Sequence, residues 1–392
     1  MRGLALEGGG ARGAYHIGVV KAFAEKGYEF DGFVGTSIGS INAAALAQGD
    51  FEQTLELWMN ISMDQVFEQE EQQLLLLAEK KGLKLDAGLP INVKKALAKI
   101  INGKGISTDK MKTFLAQYIH EDKVRGSGKD YGLVTFSITD RKPRELMLED
   151  IPQGQLVNYI MASASLPGFR PETIDGEAFL DGGIYNNCPV NLLLDKNYDE
   201  IIALRTGAFG IVQKIKDTSK IKYISPSENL GSILLFTPEH SEAQIKIGYY
   251  DGLRFIEHLR GQSYYIKPVD SNLFNVQLMS LSDEIILEVG KILEFPEMNT
   301  KRMLFEKIIP QLSAYLKLGR DCDYADFCIA LLEYAAKQKK IERYRIYEYD
   351  QLNTLVKESP IEEKKGALSL LPSNIILSRK KVAVETLITN LL

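Results

Sequence analysis

The sequence predicts an α/β protein whose first part is built around a mostly parallel sheet. From residue 1 to about 210, strand-like apolar runs alternate with runs of helical periodicity, and glycine-rich turns separate them. The strand-like runs are GLALEG, EFDGFVG, YGLVTFSIT and EIIALRTG. Strands that alternate with helices in this way typically form a parallel sheet.

Two regions depart from this alternation. Residues 60–120 have helical sequence, including QEEQQLLLLAEKK and INVKKALAKII, and we expect them to form a lid-like insertion above the sheet. From about residue 270 to the end, the apolar spacing is helical. The sequence therefore predicts a first domain over residues 1–269 and a helical C-terminal region over residues 270–392.

Composition limits the classes of function. The net charge is −5, with 47 basic and 52 acidic residues, so nothing global favours a nucleic-acid partner. The three cysteines are odd in number and lack metal-type spacing. The first glycines leave no room for a signal peptide, and no run of eighteen apolar residues occurs. We expect a reduced, cytoplasmic protein without a structural metal.

The first strand and the first helix are joined by the glycine-rich turn EGGGARG. Gly8, Gly10 and Gly13 match G-x-G-x-x-G, so a dinucleotide-binding oxidoreductase is one interpretation, with Asp31 as its ribose-binding acid. However, Asp31 precedes the second strand, whereas a ribose-binding acid belongs near that strand's C-terminal end. A P-loop is excluded because no G-x-x-x-x-G-K-[ST] occurs.

The second strand continues into GTSIG, which matches the nucleophile-elbow pattern G-x-S-x-G. In such a tight turn, Gly35 and Gly39 leave space that a Cβ would fill, and Ser37 projects from the edge of the sheet. Taken alone, this short motif is equally typical of a simple glycine turn. Since serine attack on an ester creates an oxyanion, the N–H groups of the first glycine turn are candidate donors for it.

A serine nucleophile needs a base, and the sequence offers histidines and one conspicuous aspartate. Three histidines follow Ser37 in the sequence: His120, His240 and His258. Their surroundings are typical of surface or packing residues. His16 precedes Ser37 and is interpreted as a structural histidine of the first helix. The alternative is Asp181 in AFLDGGIYNNCPV, which ends an apolar run. Gly182 and Gly183 after it predict a second tight turn, although DGG is also an ordinary hairpin signal.

Four ordered motifs resemble those of the patatin-like phospholipases. They are EGGGARG, GTSIG, ASASLPGF (Ala162–Phe169) and DGGIYNN, and the resemblance covers roughly residues 1–210. It implies a three-layer α/β/α fold and a catalytic dyad without histidine, metal or cofactor. In this resemblance Ser37 is the nucleophile and Asp181 the general base. Gly8, Gly9 and Gly10 form the oxyanion loop, and Arg12 and Gly13 complete its motif.

The resemblance implies a hydrolase for carboxylic esters of phospholipids or lysophospholipids. A non-catalytic lipid-binding protein on the same fold is the alternative. Arg12 either contacts an anion of the substrate or pairs within the fold, and we favour the structural role. Pro167 and Asn187 are interpreted as residues that shape loops. An aspartate base requires burial, because its ordinary pKa of about 3.9 makes it too weak a base for a serine hydroxyl.

A basic segment within the insertion predicts contact with a membrane. Residues 80–104 contain seven lysines and one acidic residue, Asp86. In NVKKALAKII, the apolar residues repeat at helical spacing while Lys94, Lys95 and Lys99 lie elsewhere on the helix. Such a helix can lie on an anionic bilayer surface as a peripheral contact. The alternative, favoured slightly, is a lid whose apolar face packs on the core.

Overall fold

The computed structural model describes residues 1–69, 71–72, 75, 105–360 and 372–392. It divides the chain into two compact units, Met1–Leu253 and Arg254–Leu392. The boundary expected from sequence, near residue 270, lies within the second unit. The basic segment 80–104, with its predicted amphipathic helix, lies outside the described residues.

The first unit contains the central sheet and the four motifs. Its strands are β1 (Arg2–Leu6), β2 (Gly32–Thr36), β3 (Asp130–Ser137), β4 (Lys142–Met147), β5 (Glu172–Ile174), β6 (Glu177–Asp181), β7 (Glu200–Leu204) and β8 (Ile221–Ile224). Its helices are α1 (Ala14–Glu25), α2 (Ile38–Ala47), α3 (Phe51–Asn60), α4 (Met63–Val66), α5 (Asp109–Tyr118), α6 (Glu121–Gly126), α7 (Leu156–Ser163) and α8 (Val190–Asp195). The helix α9 (Pro238–Glu257) follows them and contains the boundary between the units.

The central sheet is mostly parallel, as the sequence predicted. Within the described residues its strand order is β5-β6-β3-β2-β1-β7-β8, and β4 also pairs with β3. The strands β3, β2, β1, β7 and β8 run parallel, while β4 and β6 are antiparallel to β3. Every residue of β2 is buried, as is typical of a parallel strand covered on both faces. The predicted α/β class is confirmed.

The register of the parallel strands brings the two glycine motifs together. Leu6 pairs with Gly35, so β1 and β2 end side by side. The turns EGGGARG and GTSIG therefore leave the same edge of the sheet. The helix α2 after the second turn is buried at every position, and its alanines allow a close approach to the sheet.

The second unit is mainly helical. Its helices after α9 are α10 (Ser271–Met279), α11 (Asp283–Ile292), α12 (Thr300–Met303), α13 (Ile309–Tyr315), α14 (Tyr324–Gln338), α15 (Tyr349–Glu358) and α16 (Pro372–Leu391). A short parallel pair joins β9 (Tyr265–Ile266) to β10 (Ile346–Tyr347). Leucine and isoleucine side chains from these helices contribute to its core, among them Leu278, Ile286, Leu312, Leu331, Leu352 and Leu387.

Candidate active site

Ser37 lies in a strained turn between β2 and α2. Its φ is 57° and its ψ is −130°, a backbone conformation that a residue with a side chain rarely adopts. An ideal Cβ at Gly35 would lie 2.2 Å from the carbonyl carbon of Gly39, and one at Gly39 would lie 2.1 Å from the Leu6 oxygen. Only glycine therefore fits at the positions two residues before and two residues after Ser37.

A second serine supports this turn. The Ser37 N–H donates to Ser163 Oγ at 2.9 Å, and the Ser163 hydroxyl donates to the Val134 carbonyl at 2.6 Å. The Ser40 hydroxyl donates to the Ser37 carbonyl at 2.7 Å. Ser163 thus links the turn to β3. Ser163 was not predicted as a site residue, although its place in ASASLPGF was the available signal.

Asp181 ends β6, and its carboxyl group is buried beside Ser37. Oδ1 accepts the Gly183 N–H at 2.7 Å, while Oδ2 is buried and has no hydrogen-bond partner among the described residues. Burial raises the pKa of Asp181 to about 6, although the neighbouring Ser37 hydroxyl and Gly183 N–H oppose that shift. The described contacts include no Ser37–Asp181 hydrogen bond of ordinary geometry. The two side chains are neighbours, and Oδ2 of Asp181 has no other hydrogen-bond partner that would compete with Ser37.

The two glycines after Asp181 hold its turn in place. An ideal Cβ at Gly182 would lie 2.2 Å from the Val134 carbonyl oxygen. One at Gly183 would lie 2.8 Å from Asn187 Oδ1. Side chains at these positions would push the Asp181 turn away from β3.

The three consecutive glycines differ in the state of their N–H groups. The Gly8 N–H, a candidate oxyanion donor from the sequence, donates to the Asn187 carbonyl at 3.0 Å. No hydrogen bond of the described residues uses the N–H of Gly9 or Gly10. Gly10 has a φ of 54°, and an ideal Cβ there would lie 2.0 Å from the Ile233 oxygen. The loop therefore offers two unused donors.

A buried carboxylate holds the glycine loop in position. Glu7 accepts the Thr206 N–H at 2.6 Å and the Gly207 N–H at 3.1 Å, and it forms a 2.7 Å salt bridge with Arg205. The Thr206 hydroxyl donates to the Gly8 carbonyl at 2.6 Å. Sequence reasoning missed these residues, because nothing local to Glu7 reveals partners about two hundred residues away.

Arg12 and Gly13 contact the surrounding structure. Arg12 Nε donates to the Gly231 carbonyl at 2.9 Å, and Nη1 donates to the Gly207 carbonyl at 2.9 Å. These bonds join two loops of the first unit, which agrees with the structural role favoured from sequence. An ideal Cβ at Gly13 would lie 2.5 Å from Ile38 Cγ1, so Gly13 allows the first turn to approach α2.

The histidines and Asp31 lie apart from Ser37. His16 is buried, its Nδ1 lies 3.3 Å from Asn42 Nδ2, and burial lowers its pKa to about 3. None of the four histidines of the chain lines the cavity at Ser37. Asp31 accepts the Arg2 N–H at 2.8 Å and precedes β2, whereas Ser37 follows that strand. The position of Asp31 therefore gives no support to a dinucleotide site at the glycine turn.

Ser37 opens into an apolar cavity. Its walls include Gly10 of the glycine loop and side chains from several elements, among them Ile41, Val66, Phe67, Met111, Phe169, Leu234 and Phe236. A second apolar cavity shares part of this wall and continues along α2 as far as Gln48 and Tyr118. Gln48 Nε2 donates to the Tyr118 carbonyl at 2.8 Å at that end. The site therefore suits an apolar group attached to a polar reacting centre.

The described residues contain no group of three or more histidine, cysteine or acidic side chains arranged to hold a metal ion. No helix among them has the length and apolar content needed to span a bilayer.

Comparison with known proteins finds a family model that matches part of the first unit. Residues 4–194 match the family model described as patatin-like phospholipase. A human protein, patatin-like phospholipase domain-containing protein 6, is 27% identical over 285 residues, which is 68% of this chain and 18% of that protein. Lysophospholipase NTE1 of Kluyveromyces lactis is 25% identical over 286 residues, 69% of this chain and 17% of that protein. The chain thus matches less than a fifth of the length of either relative.

One solved structure is reported with these relatives. VipD from Legionella pneumophila aligns over 100% of this chain and 90% of its own, with 17% identity and a TM-score of 0.39.

Proposed function

The chain contains a patatin-like phospholipase domain over residues 4–194, and we propose that it is a serine lipid acyl hydrolase. Its substrates are carboxylic esters of phospholipids or lysophospholipids. The observation that carries this proposal is the pairing of Ser37, in its strained turn, with the buried carboxyl group of Asp181. The relatives' names agree with a lipid substrate.

In this mechanism Asp181 is the general base. Its pKa of about 6 leaves it ionised at neutral pH and still far more basic than an exposed aspartate. Oδ2, which has no other partner, takes the proton as Ser37 Oγ attacks the ester carbonyl. Asp181 then returns the proton to the departing alcohol, and the acyl group stays on Ser37. Water activated by the same carboxylate releases the fatty acid.

The glycine loop stabilises the negative charge that develops on the ester oxygen. The N–H groups of Gly9 and Gly10 are the proposed donors, since the Gly8 N–H is already bound to Asn187. We assign Gly8 a packing role, because an ideal Cβ there would lie 2.3 Å from Asn187 Oδ1 and 3.2 Å from Ser37 Cβ. Arg12 acts by holding the neighbouring loops.

The acyl chain occupies the apolar cavity that begins at Ser37. Residues of one face of α2, namely Ile38, Ile41, Ala45 and Gln48, line the path from the nucleophile to the far end. The distance along this face from Ser37 to Gln48 is about 16 Å. An apolar wall of this kind suits the alkyl part of an acyl group.

The domain organisation belongs to the same proposal. Residues 1–269 form the catalytic domain, with the insertion at about 60–120 controlling access, and residues 270–392 form a helical region of separate role. Both alternatives for residues 80–104 stay open in this proposal: a lid whose apolar face packs on the core, which is slightly favoured, and a peripheral contact with a membrane. The two competing interpretations, a non-catalytic lipid-binding protein and an oxidoreductase, both predict no ester hydrolysis.

The test is ester hydrolysis together with covalent labelling. The parent protein should hydrolyse a fluorogenic acyl ester and react with a fluorophosphonate probe at Ser37. Ser37→Ala should lose both, while the matched variant Ser280→Ala, at an exposed serine after α10, should still be labelled at Ser37. An active preparation that is not labelled at Ser37 would refute the nucleophile. A folded parent without activity on any ester would favour the non-catalytic alternative.

A further inference from the structure

The loop between β7 and β8 presents exposed apolar side chains beside the Asp181 turn. Phe209 is 86% exposed and Ile211 is 53% exposed. Ile184, in the turn that follows Asp181, is also exposed. A single exposed apolar residue needs no explanation, but a group of them at one place marks a surface that contacts something else.

This loop is fixed at both ends to the elements of the candidate active site. At one end the Gly207 N–H donates to Glu7 Oε2 at 3.1 Å. At the other end the Ile211 N–H donates to the Gly183 carbonyl at 3.0 Å. Phe209 projects between these two anchors. Phe209 therefore stays exposed because its loop is bonded to Glu7, which positions the glycine loop, and to Gly183 of the Asp181 turn.

The charge of this region favours an anionic partner. Residues 205–222 contain five basic residues and one acidic residue, and two of the five, Arg205 and Lys222, are paired with Glu7 and Glu200. Lys214 is exposed and forms no salt bridge within the described part of the chain. Lys216, also exposed, pairs with Asp195 at the surface. Apolar side chains flanked by lysines are the combination that binds the surface of an anionic bilayer.

We propose that residues 207–212, the docking loop, bind an anionic lipid surface through Phe209 and Ile211, with Ile184 at its edge. The inference rests on the proposed function, because a lipid hydrolase must reach substrate held in a bilayer. Phe209 and Ile211 enter the interfacial layer, and the lysines lie against the headgroups. The Asp181 turn, bonded to the loop through Gly183, is thereby held at the membrane surface.

The test measures vesicle binding and soluble-ester hydrolysis separately. Co-sedimentation uses vesicles of phosphatidylcholine mixed with phosphatidylglycerol, and vesicles of phosphatidylcholine alone. The double variant Phe209→Ser with Ile211→Ser should bind the mixed vesicles at least about tenfold more weakly than the parent. Hydrolysis of a short soluble ester should not change. Phe209→Trp should keep vesicle binding, since tryptophan is favoured at the bilayer interface.

A matched control uses another exposed apolar residue. Val276 in α10 is 69% exposed, and Val276→Ser should bind the mixed vesicles as the parent does. The proposal is overturned if the double variant binds like the parent, or if Val276→Ser loses as much binding. The proposal is also overturned if the parent binds neither kind of vesicle. In that case a protein partner would be the better explanation for the exposed docking loop. A parent that binds vesicles but hydrolyses no ester refutes the proposed function and leaves the docking loop supported.

Discussion

Two buried carboxyl groups, one in each unit, differ in how their oxygens are used. Burial raises the pKa of both Asp181 and Glu333. Glu333, on α14, accepts three backbone N–H groups of the loop at residues 262–264, at 3.0, 2.8 and 2.6 Å, so both of its oxygens are bonded. Asp181 accepts one N–H group, and its Oδ2 has no partner among the described residues.

This difference separates a structural carboxylate from a reactive one. A buried carboxylate whose oxygens are satisfied anchors backbone, as Glu333 does for its loop and Glu7 does for Thr206 and Gly207. An oxygen left unsatisfied costs free energy of folding and remains available to accept a proton. The direction of the pKa shift alone does not distinguish these cases, whereas the hydrogen-bond inventory does.

The largest expected effect is on catalysis by the unsatisfied carboxylate. Asp181→Asn should lower kcat/KM for a soluble ester by about 10⁴-fold, since the amide cannot accept the proton of Ser37. Glu333→Gln, as the matched buried carboxylate, should leave the rate within a few fold. Steady-state kinetics on purified, folded variants measures both.

Histidine variants complete this test of the dyad. His120→Ala, His240→Ala and His258→Ala should each keep most of the parental rate, because none of these side chains lines the cavity at Ser37. Loss of several orders of magnitude in any one of them would contradict the assignment of Asp181 as the base.

The next effect concerns the glycine loop. Gly9→Ala should lower kcat by about 10²-fold or more, as loss of an oxyanion donor typically does. An ideal Cβ at Gly9 would lie 2.6 Å from Thr206 Oγ1, the hydroxyl that binds the Gly8 carbonyl, so the loop must move. Rates with one soluble ester are the measurement, and Gly126→Ala, where no heavy atom lies within 4 Å of the added Cβ, is the control. Full turnover by folded Gly9→Ala would mean that the loop has another purpose.

The sequence predicted the parts of the site that depend on local geometry. The elbow at Ser37 and the turn after Asp181 follow from glycines that only a tight turn requires, and their spacing is visible in the sequence. The occupied N–H of Gly8 was not predictable, because its acceptor, the carbonyl of Asn187, is distant in sequence. The same holds for Ser163, which supports the Ser37 turn from α7.

The fold was predictable to a similar depth. Alternating strands and helices indicate a parallel sheet, and helical periodicity indicates that the second unit is mainly helical. The antiparallel pairing of β4 and β6 with β3 could not be inferred, since strand order depends on tertiary packing rather than on local pattern.

The smallest expected effect is on stability, and here the two carboxylates should respond in opposite directions. In the folded protein the pKa of Asp181 is about 6, above the unfolded value of about 3.9. The proton is therefore bound more tightly in the folded state, and the stability this gives is complete below about pH 4 and lost as the pH rises through 6. The asparagine of Asp181→Asn does not titrate. At pH 8 the free energy of unfolding of this variant should therefore be about 2 to 3 kcal/mol higher than that of the parent. The difference should vanish near pH 4.

Glu333→Gln should instead destabilise the protein at pH 8. Its amide nitrogen would face the Gln262 N–H that Oε2 now accepts at 3.0 Å, and a buried donor without an acceptor costs about 1 to 3 kcal/mol. Thermal or urea unfolding of the two variants and the parent, at pH 4 and pH 8, measures the contrast. If Asp181→Asn loses as much stability at pH 8 as Glu333→Gln does, then Oδ2 has a stabilising partner in solution. Asp181 would then be an anchor like Glu333, and the open oxygen that makes it a base in this mechanism would not exist.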